Sequence, residues 1–526
     1  MKEFIVSLKK WLSYKKAIEL SNSRLFDVHT WSEYPEVNPV VAYVYNELSS
    51  NPAFTGNESI RKKHVKVLIL DLYVVWLEDQ TRYLSIYFRK AYYDCLESRY
   101  NKLFISKVTI VIAKALEAEG YITLHLGTYG REAGFKSRLT RIRATEKLIH
   151  LIVSNGVTAE MIERVPNIET IILRKYIPDE DKQINAAYND DGDPRIIHWK
   201  NDLIAYNNLL RRTYIDVPSA PLDGIPCKQS DKSRRKGKRP RKVKVTQHEK
   251  FVHRVFNENW DNGGRFYGGW WQRIPEVWRA GIRIWNNPVT EVDYKGLHIN
   301  LLYRLKNIPY TEDPYLLDGY EHTEDMRDLL KQVLLCSINA ANRTKAIQAI
   351  NMEINFNPEK YGWVREDEID LGQLVDALAT KHSSLEGDFF SGSGIRLQNF
   401  DSLIAEKIIN HFTRQNIPVL CIHDSFVIQT DKAEELRTVM QDCFLEAFNE
   451  LGLSSQLAPT TTFTGLDFGQ FGVILRDPAW RELADSFYRE QYDYPEWTRK
   501  LRRFREMTQA SEFKPNYYHA ENNFER

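Results

Sequence analysis

Apolar positions in the first part of the chain have helical spacing, until one short stretch changes to a strand pattern. In residues 106–119 they recur every three or four positions, and Gly120 ends the pattern. Apolar runs at 121–126 and 137–144 predict two strands, because three glycines between them suit a hairpin tip. We therefore predict a mainly helical domain over residues 1–217 that contains one hairpin.

The hairpin resembles the wing of a winged-helix domain, in which a helix, a strand, a basic loop and a return strand follow one another. Such domains place the helix in the major groove of DNA and touch phosphates with the wing. Within residues 65–155, Arg138 and Arg141 lie on the return strand near the tip, and we predict that they contact nucleic acid. An ordinary α/β hairpin with a solvated basic face explains the same pattern, so both interpretations stay open.

Prolines and then a dense basic run interrupt the pattern at residues 218–246. Between Lys228 and Lys244 the chain has ten basic residues and one acidic residue. Such a run is either a solvated linker or a segment that neutralises nucleic-acid phosphates without reading sequence. We favour phosphate binding, with Arg234 and Arg235 among the contacts.

The remaining chain predicts a mixed domain over residues 247–477 and a charged, aromatic helical tail over 478–526, and hence an α+β protein. The 72 basic and 71 acidic side chains cancel to a net charge of +1, so any nucleic-acid surface must be a local patch. Five cysteines without a Cys-x-x-Cys pair argue against a zinc ribbon and suit a reducing compartment. No apolar stretch reaches the length of a membrane span, so we expect a cytoplasmic protein with no membrane partner.

Two aspartates stand at the ends of short apolar runs in the mixed domain. Asp293 closes one run, and Gly296 then permits a sharp turn into a helix. Asp424 lies at the turn between two strand-like runs, 419–422 and 426–428. Both carboxylates are therefore predicted to meet at one edge of a sheet. Together with substrate phosphates and water, they suffice to hold two Mg²⁺ ions, and Mn²⁺ can replace Mg²⁺.

Between these aspartates, a helix is predicted to begin after Thr323 as its N-cap. Arg327, Lys331 and Leu335 then follow at intervals of four residues on one stripe of the helix. Many solvated helices carry two cations at this spacing. Their position between two candidate metal ligands favours a binding site for a nucleoside triphosphate.

Four short motifs follow one another between residues 261 and 431. They are Gly264-Arg265-Phe266, Asp293-Tyr294-Lys295-Gly296-Leu297, Arg327 with Lys331, and His423-Asp424-Ser425-Phe426. The last three resemble motifs A, B and C of family A DNA polymerases and of the related single-subunit RNA polymerases of phages and mitochondria. The first is similar to a Gly-Arg-aromatic signature of those RNA polymerases. The resemblance implies a right-hand polymerase fold with palm and fingers.

The resemblance also implies a role for each matched residue. These roles are metal binding (Asp293, Asp424), triphosphate binding (Arg327, Lys331), proton donation to the leaving pyrophosphate (Lys331), contact with the primer terminus (His423) and contact with the template (Arg265, Gln398). For Gln398, capping of the following helix is the alternative.

The motifs depart from the family pattern in the nucleotide pocket. Leu335 replaces an aromatic residue of motif B, and Asn339 replaces a tyrosine. His298 stands where the DNA polymerases have a glutamate that excludes the ribose 2′-hydroxyl and the RNA polymerases have a small residue. It is bulky enough to act as a steric gate, and an ordinary helix histidine is the alternative. Motif A and His298 favour a DNA product, whereas Ser425 and the Gly-Arg signature favour RNA.

We therefore predict a DNA polymerase that extends a primer on a DNA template with nucleoside triphosphates. The pairing of modules points to replication of a plasmid or another mobile element, and the sequence indicates no protein partner. One alternative is a single-subunit DNA-dependent RNA polymerase or primase. Another, from a different class, is a non-catalytic DNA-binding replication or regulatory protein with a degenerate palm.

Overall fold

The computed structural model describes residues 19–20, 22–51, 54–94, 98–128, 138–165, 168–180, 182–221, 224–227, 242–247, 249–450, 453 and 461–464. Helices and strands are mixed along this part of the chain, so the α+β class is confirmed. The predicted phosphate contacts of Arg234 and Arg235 and the predicted tail at 478–526 lie outside the described residues. No helix within the described ranges is long and apolar enough to cross a membrane.

The first hydrophobic core lies between residues 34 and 162 and consists of helices packed on a small sheet. Its helices are α1 (Val37–Ser49), α2 (Glu58–Glu78), α3 (Lys90–Asp94), α4 (Val108–Ala118) and α5 (Glu146–Ser154). The strands of this part are β1 (Ser23–Leu25), β2 (Thr30–Trp31), β3 (Tyr83–Ile86), β4 (Ile122–His125), β5 (Thr140–Ala144) and β6 (Glu163–Arg164). The four-stranded sheet has the order β1-β3-β5-β4, and β2 pairs with β6.

The predicted hairpin is formed by β4 and β5, with α4 directly before it. Ile142 of β5 stands opposite Leu84 of β3 on one side and Leu124 of β4 on the other, and it is fully buried. Gly120 ends α4 with a φ of 73°, a conformation that favours glycine. Because β3 and β1 extend the hairpin into a sheet, the prediction of a mainly helical first part was incomplete.

The second core is larger and contains the remaining helices and strands. Its helices are α6 (Pro194–Arg212), α7 (Glu276–Arg279), α8 (Leu297–Leu305), α9 (Glu324–Asn339), α10 (Arg343–Phe356), α11 (Pro358–Tyr361), α12 (Trp363–Glu366), α13 (Leu371–Lys381), α14 (Gly394–Arg414) and α15 (Ala433–Asn449). Its strands are β7 (Ile171–Ile177), β8 (Lys182–Asn185), β9 (Ile215–Asp216), β10 (Ile225–Pro226), β11 (Lys242–Val243), β12 (His253–Asn257), β13 (Asn259–Tyr267), β14 (Arg283–Ile284), β15 (Asn287–Tyr294), β16 (Leu420–Ile422), β17 (Ser425–Gln429) and β18 (Thr461–Thr464).

These strands form two larger sheets and one small pair. One sheet has the order β13-β12-β7-β8, and β10 pairs with β11. The other is six-stranded, with the order β16-β17-β15-β14-β9 and with β18 also paired to β15. The second sheet carries both candidate metal-binding aspartates.

The two cores divide the chain near residue 165, not at the predicted boundary at 217. Residues from Ile171 to Val217 belong to the second core. β7 runs parallel to β12, and the Tyr206 hydroxyl donates a hydrogen bond to the Val419 carbonyl at 2.6 Å. Parallel pairing joins strands that are distant in sequence, so the proline-rich interruption near 218 did not mark the division of the fold.

Helix α14 lies close to β13 because Gly264 leaves the contact free of a side chain. Gly263 and Gly264 both have positive φ, at 75° and 83°. A Cβ on Gly264 would lie 2.8 Å from Ser402 Oγ on α14 and equally close to the Phe256 ring. The Gly-Arg signature therefore has a packing role in this fold, whatever it contacts in a complex.

Candidate active site

Asp293 and Asp424 lie at the same edge of the six-stranded sheet. Asp293 stands opposite Ser425 in the antiparallel pair of β15 and β17. Asp424 is the second residue of the two-residue turn that joins β16 to β17. Gly296, with a φ of 59°, turns the chain from β15 into α8, which confirms the predicted sharp turn. The fold thus brings together two carboxylates that are 131 positions apart in the sequence.

The two carboxylates interact electrostatically. Burial raises the pKa of Asp293, and the negative charges of Asp424 and then Glu291 raise it further, to about 8. A neighbouring charge has this effect only when it is close in space. At neutral pH such a site favours a bound proton or a metal cation, because either relieves the repulsion.

Glu291 is a third carboxylate at this edge, and it has partners of its own. Its two oxygens accept hydrogen bonds from Arg279 Nε and Nη2, both at 2.8 Å, and Ser425 Oγ donates to Oε1 at 2.7 Å. The guanidinium offsets the charge of Glu291. Sequence analysis missed this residue, although the alternation of a strand places it on the same face as Asp293.

Arg327 lies near the start of α9, on the side of the helix that faces the Tyr315 ring. Thr323 Oγ1 accepts a hydrogen bond from the Met326 N–H at 3.1 Å, which confirms the predicted N-cap. The Arg327 guanidinium forms an ion pair with Asp313 and lies 5.0 Å from the centre of the Tyr315 ring. A cation at this distance interacts favourably with the ring face.

Tyr315 connects Arg327 to the two aspartates. Burial raises the pKa of its hydroxyl to about 12; Arg327 opposes this rise, whereas Asp424 and Asp293 add to it. Tyr315 therefore lies within electrostatic reach of the cation and of both carboxylates. One of the two predicted triphosphate ligands and both predicted metal ligands thus act on the same tyrosine.

Lys331 and Leu335 continue the stripe on α9 away from this contact. Lys331 Nζ forms an ion pair with Asp328 at 2.9 Å, and the side chain is about half exposed. The Asp328 carboxylate also pairs with Lys360 at 2.8 Å. Leu335 is 43% exposed. This part of the stripe is solvent-accessible. Within the described residues, Lys331 makes no direct contact with Asp293 or Asp424.

Arg265 and His298 share one buried carboxylate, that of Asp401 on α14. Asp401 is 2% exposed and accepts a hydrogen bond from Arg265 Nε at 2.9 Å. His298 Nε2 lies 3.1 Å from Asp401 Oδ2 and 3.1 Å from Arg265 Nη2. Contact of Arg265 with a template stays a prediction, because two of its three nitrogens already have partners inside the protein. His298 is held in place from α14, whatever its role.

Asp401 was missed by sequence analysis. Its spacing from Leu397 and Ala405 puts it on the apolar face of α14, where an acidic residue is rare unless it is paired. That placement is the signal that could have identified it. Its partners could not be predicted, since 136 residues separate it from Arg265.

His423 is the first residue of the turn that carries Asp424. Its φ of 61° is uncommon for a residue with a side chain. Its ring lies 5.4 Å from the Tyr267 ring, and Nδ1 is buried without a hydrogen-bond partner in the described part of the chain. Burial and the Arg265 charge lower its pKa, so the imidazole is neutral at pH 7. The ring thus lies beside Asp424 in its neutral form, with Nδ1 closed to solvent.

The other predicted nucleic-acid contacts lie apart from this cluster. Gln398 is half-buried within α14, whose N-cap is Ser393, so the alternative that Gln398 caps this helix is wrong. Arg141 Nε donates to the Leu20 carbonyl and Nη1 to the Leu139 carbonyl, both at 3.0 Å. Two of its three nitrogens thus have partners inside the domain, and its contact with nucleic acid stays a prediction. Arg138 lies in a β-bridge with Thr128 at the base of the hairpin tip.

No protein-family model matches the chain, and no curated protein matches it.

Proposed function

We propose that the protein is a template-directed nucleotidyltransferase that extends a nucleic-acid 3′ end, with a DNA polymerase as the favoured form. The observation that carries the proposal is the pair formed by Asp293 on β15 and Asp424 in the turn that leads into the neighbouring strand β17, with the Asp293 pKa raised to about 8. The Asp424 charge disfavours the ionised form of the buried Asp293 when no cation is bound. The two carboxylates suit a site that normally contains divalent metal.

The donor set fits hard divalent cations, since both ligands are carboxylates and Arg279, a cation at the same edge, is bound to Glu291. Asp293 and Asp424 would hold two Mg²⁺ ions, with Mn²⁺ as a substitute. When bound, the ions supply Lewis acidity to the attacking hydroxyl and to the triphosphate. The surrounding strands supply rigidity, because both aspartates are fixed by the register of β15 and β17.

The substrate phosphates would bind between this edge of the sheet and α9. Arg327 contacts the Tyr315 ring, and the charges of both aspartates act on the Tyr315 hydroxyl. Lys331 lies one helical turn further along α9. Both now pair with acidic residues, Asp313 and Asp328, which a triphosphate would replace as partners. Lys331 would also donate the proton to the leaving pyrophosphate.

In this proposal the sheet with β15, β16 and β17 is the palm and helices α9 to α13 are the fingers. The neutral His423 ring would contact the primer terminus. Arg265 would contact the template, as would Gln398. His298 would face the sugar of the incoming nucleotide, and its bulk favours deoxynucleotides. A single-subunit RNA polymerase or primase remains the alternative form of the same chemistry.

The first domain would hold DNA as a winged-helix module. The order β3-β5-β4, with α4 directly before β4, supports this interpretation. The exposed face of α4 begins at Lys107 and includes Val111 and Lys114. Two cations around an exposed apolar side chain suit a helix that enters the major groove. The basic run that contains Arg234 and Arg235 would add phosphate contacts.

Primer extension on a DNA template with Mg²⁺, run in parallel with deoxynucleotides and ribonucleotides, tests the proposal. Asp424→Asn should slow extension at least about 1000-fold, because loss of several kcal/mol of transition-state stabilisation has this effect. Asp431→Asn is the matched control, since Asp431 is exposed at the far end of the same hairpin. If the wild type extends neither primed nor unprimed templates with either nucleotide set, a non-catalytic DNA-binding protein replaces the proposal.

A further inference from the structure

A second cluster of metal-ligating residues lies between α6 and α14, apart from the aspartate pair. His198 and Asp202 are one turn apart on α6, and Glu406 projects from α14. One ligand atom from each of these three side chains lies within 4.8 Å of the other two. They come from helices that are some 200 residues apart in the chain, so local sequence spacing does not explain the cluster.

The distances within the cluster suit a metal ion. His198 Nε2 lies 3.1 Å from Asp202 Oδ2 and 3.7 Å from Glu406 Oε1. Two ligand atoms that are each about 2.1 Å from a tetrahedral Zn²⁺ ion are about 3.4 Å apart. The two observed distances lie on either side of this value, so small side-chain movements bring the three atoms into coordination.

Each carboxylate is also oriented by a buried donor. Arg254 is fully buried and donates from Nη1 to Glu406 Oε2 at 2.5 Å, which leaves Oε1 directed at His198. Asn410 Nδ2 donates at 2.5 Å to Asp202 Oδ2, the same oxygen that faces His198. Hydrogen bonds to the carboxylates of a metal site orient them, as the Arg254 bond does for Glu406.

The cluster opens onto a cavity of about 450 Å³ between α6, α14 and α15. His198 and Glu406 line this cavity, together with Asn410 and the exposed His411. The space is large enough for water molecules to complete the coordination of an ion that has three protein ligands. Asp293 and Asp424 do not line it.

We propose that His198, Asp202 and Glu406 bind one divalent transition-metal ion, which clamps α6 to α14. One imidazole with two carboxylates suits Zn²⁺ or Mn²⁺ better than Mg²⁺, which prefers oxygen ligands alone. The ion would tie α6 to the helix that carries Asp401, five residues from Glu406. The proposal does not depend on the proposed function, since none of the three ligands belongs to the aspartate pair.

Zn²⁺ titration by calorimetry of the full chain, freed of metal beforehand, tests the proposal. All proteins would carry Asp424→Asn, so that the aspartate pair contributes as little as possible. We expect one Zn²⁺ ion to bind with a Kd in the micromolar range or tighter. His198→Ala should weaken binding at least tenfold, whereas His411→Ala, which removes another imidazole from the same cavity, should leave it unchanged.

Two further measurements distinguish loss of a metal ligand from loss of folding, and this site from a cysteine site. His198 is 61% exposed, so its replacement should leave the metal-free melting temperature unchanged, and Asp202→Asn is a second variant that keeps the shape of the side chain. Co²⁺ bound in place of Zn²⁺ should show no thiolate charge-transfer band, which rules out binding by the cysteines. Absence of saturable binding, or equal affinity in His198→Ala, would show that the cluster is only a hydrogen-bonded network. Either result is independent of primer extension.

Discussion

Asp293 stands directly opposite Ser425 in the antiparallel pair of β15 and β17, so that Asp424 is the first residue beyond the paired positions. This register brings the two carboxylates together. A shift of one residue would move Asp293 to the other face of the sheet, because successive side chains of a strand alternate. The Ser425 hydroxyl helps to hold the register through its hydrogen bond to Glu291 on β15.

The aspartate pair lowers the stability of the metal-free protein at neutral and alkaline pH. The pKa of Asp293 rises from the ordinary 3.8 to about 8 in the folded state. Between these two values the folded state keeps a proton that the unfolded state has lost, so the unfolding free energy falls as pH rises from about 4 to about 8. Asp293→Asn removes this titration.

Asp293→Asn should therefore abolish primer extension and at the same time raise the unfolding free energy at pH 8 by at least about 1 kcal/mol, since one pKa unit corresponds to about 1.4 kcal/mol. Urea denaturation with a chelator present, at pH 5 and pH 8, measures the effect. The gain should be largest at pH 8, and Asp431→Asn should show none. A variant less stable than the wild type at pH 8 would contradict the electrostatic coupling.

Metal binding at the aspartate pair should strengthen as pH rises, whereas the unfolding free energy of the metal-free protein falls. Protons compete with cations for Asp293, so the Mg²⁺ concentration that gives half-maximal extension should fall as pH rises from 6.5 towards 8. We expect a decrease of at least about threefold over this interval, because Asp293 with a pKa of about 8 is almost fully protonated at pH 6.5 and about half deprotonated at pH 8. Steady-state extension rates measured across Mg²⁺ concentrations at each pH give the result. A constant requirement for Mg²⁺ would argue against ligation by Asp293.

Local features of the site were predictable from the sequence, whereas distant contacts were not. The Thr323 cap and the turn at Gly296 depend on a few neighbouring residues, and the structure confirms both. The sharing of Asp401 by Arg265 and His298 depends on how α14 crosses β13, which sequence spacing does not contain. The domain boundary was misplaced for the same reason, because the parallel pairing of β7 with β12 is non-local.

Two substitutions of His423 should distinguish the cost of its backbone conformation from the contribution of its imidazole to primer binding. Its φ of 61° costs a residue with a Cβ about 1 kcal/mol relative to glycine. His423→Gly and His423→Ala both remove the imidazole, so both should weaken primer use to the same extent. The glycine variant should be about 1 kcal/mol more stable than the alanine variant by urea denaturation.

Asn416 provides the control for the two His423 variants. It also has a positive φ, of 57°, but it follows the end of α14, away from the aspartates. Asn416→Gly and Asn416→Ala should differ in stability in the same way, while extension remains at the wild-type rate. If His423→Ala extends primers as well as the wild type does, the imidazole has no contact with the primer terminus.

Sugar selection should depend on Asp401 as well as on His298. If the bulk of His298 excludes the 2′-hydroxyl, His298→Gly should raise ribonucleotide incorporation relative to deoxynucleotide incorporation by about tenfold or more, a loss of discrimination of about 1.4 kcal/mol. Competition between the two nucleotides in single-turnover extension measures the ratio. The control is His411→Ala, which removes a histidine of α14 that lines the cavity beside α6. It should leave the ratio of ribonucleotide to deoxynucleotide incorporation unchanged.

Asp401→Asn tests whether the orientation of His298 matters and not only its size. The variant keeps the shape of the side chain but removes the charge that holds both His298 Nε2 and Arg265. We expect a smaller rise in ribonucleotide incorporation than in His298→Gly, together with a loss of stability of about 3 kcal/mol, because Arg265 loses its buried counter-ion. If discrimination stays intact in Asp401→Asn while His298→Gly loses it, the histidine acts through bulk alone. If both variants discriminate as the wild type does, His298 is a structural histidine and sugar selection lies elsewhere in the site.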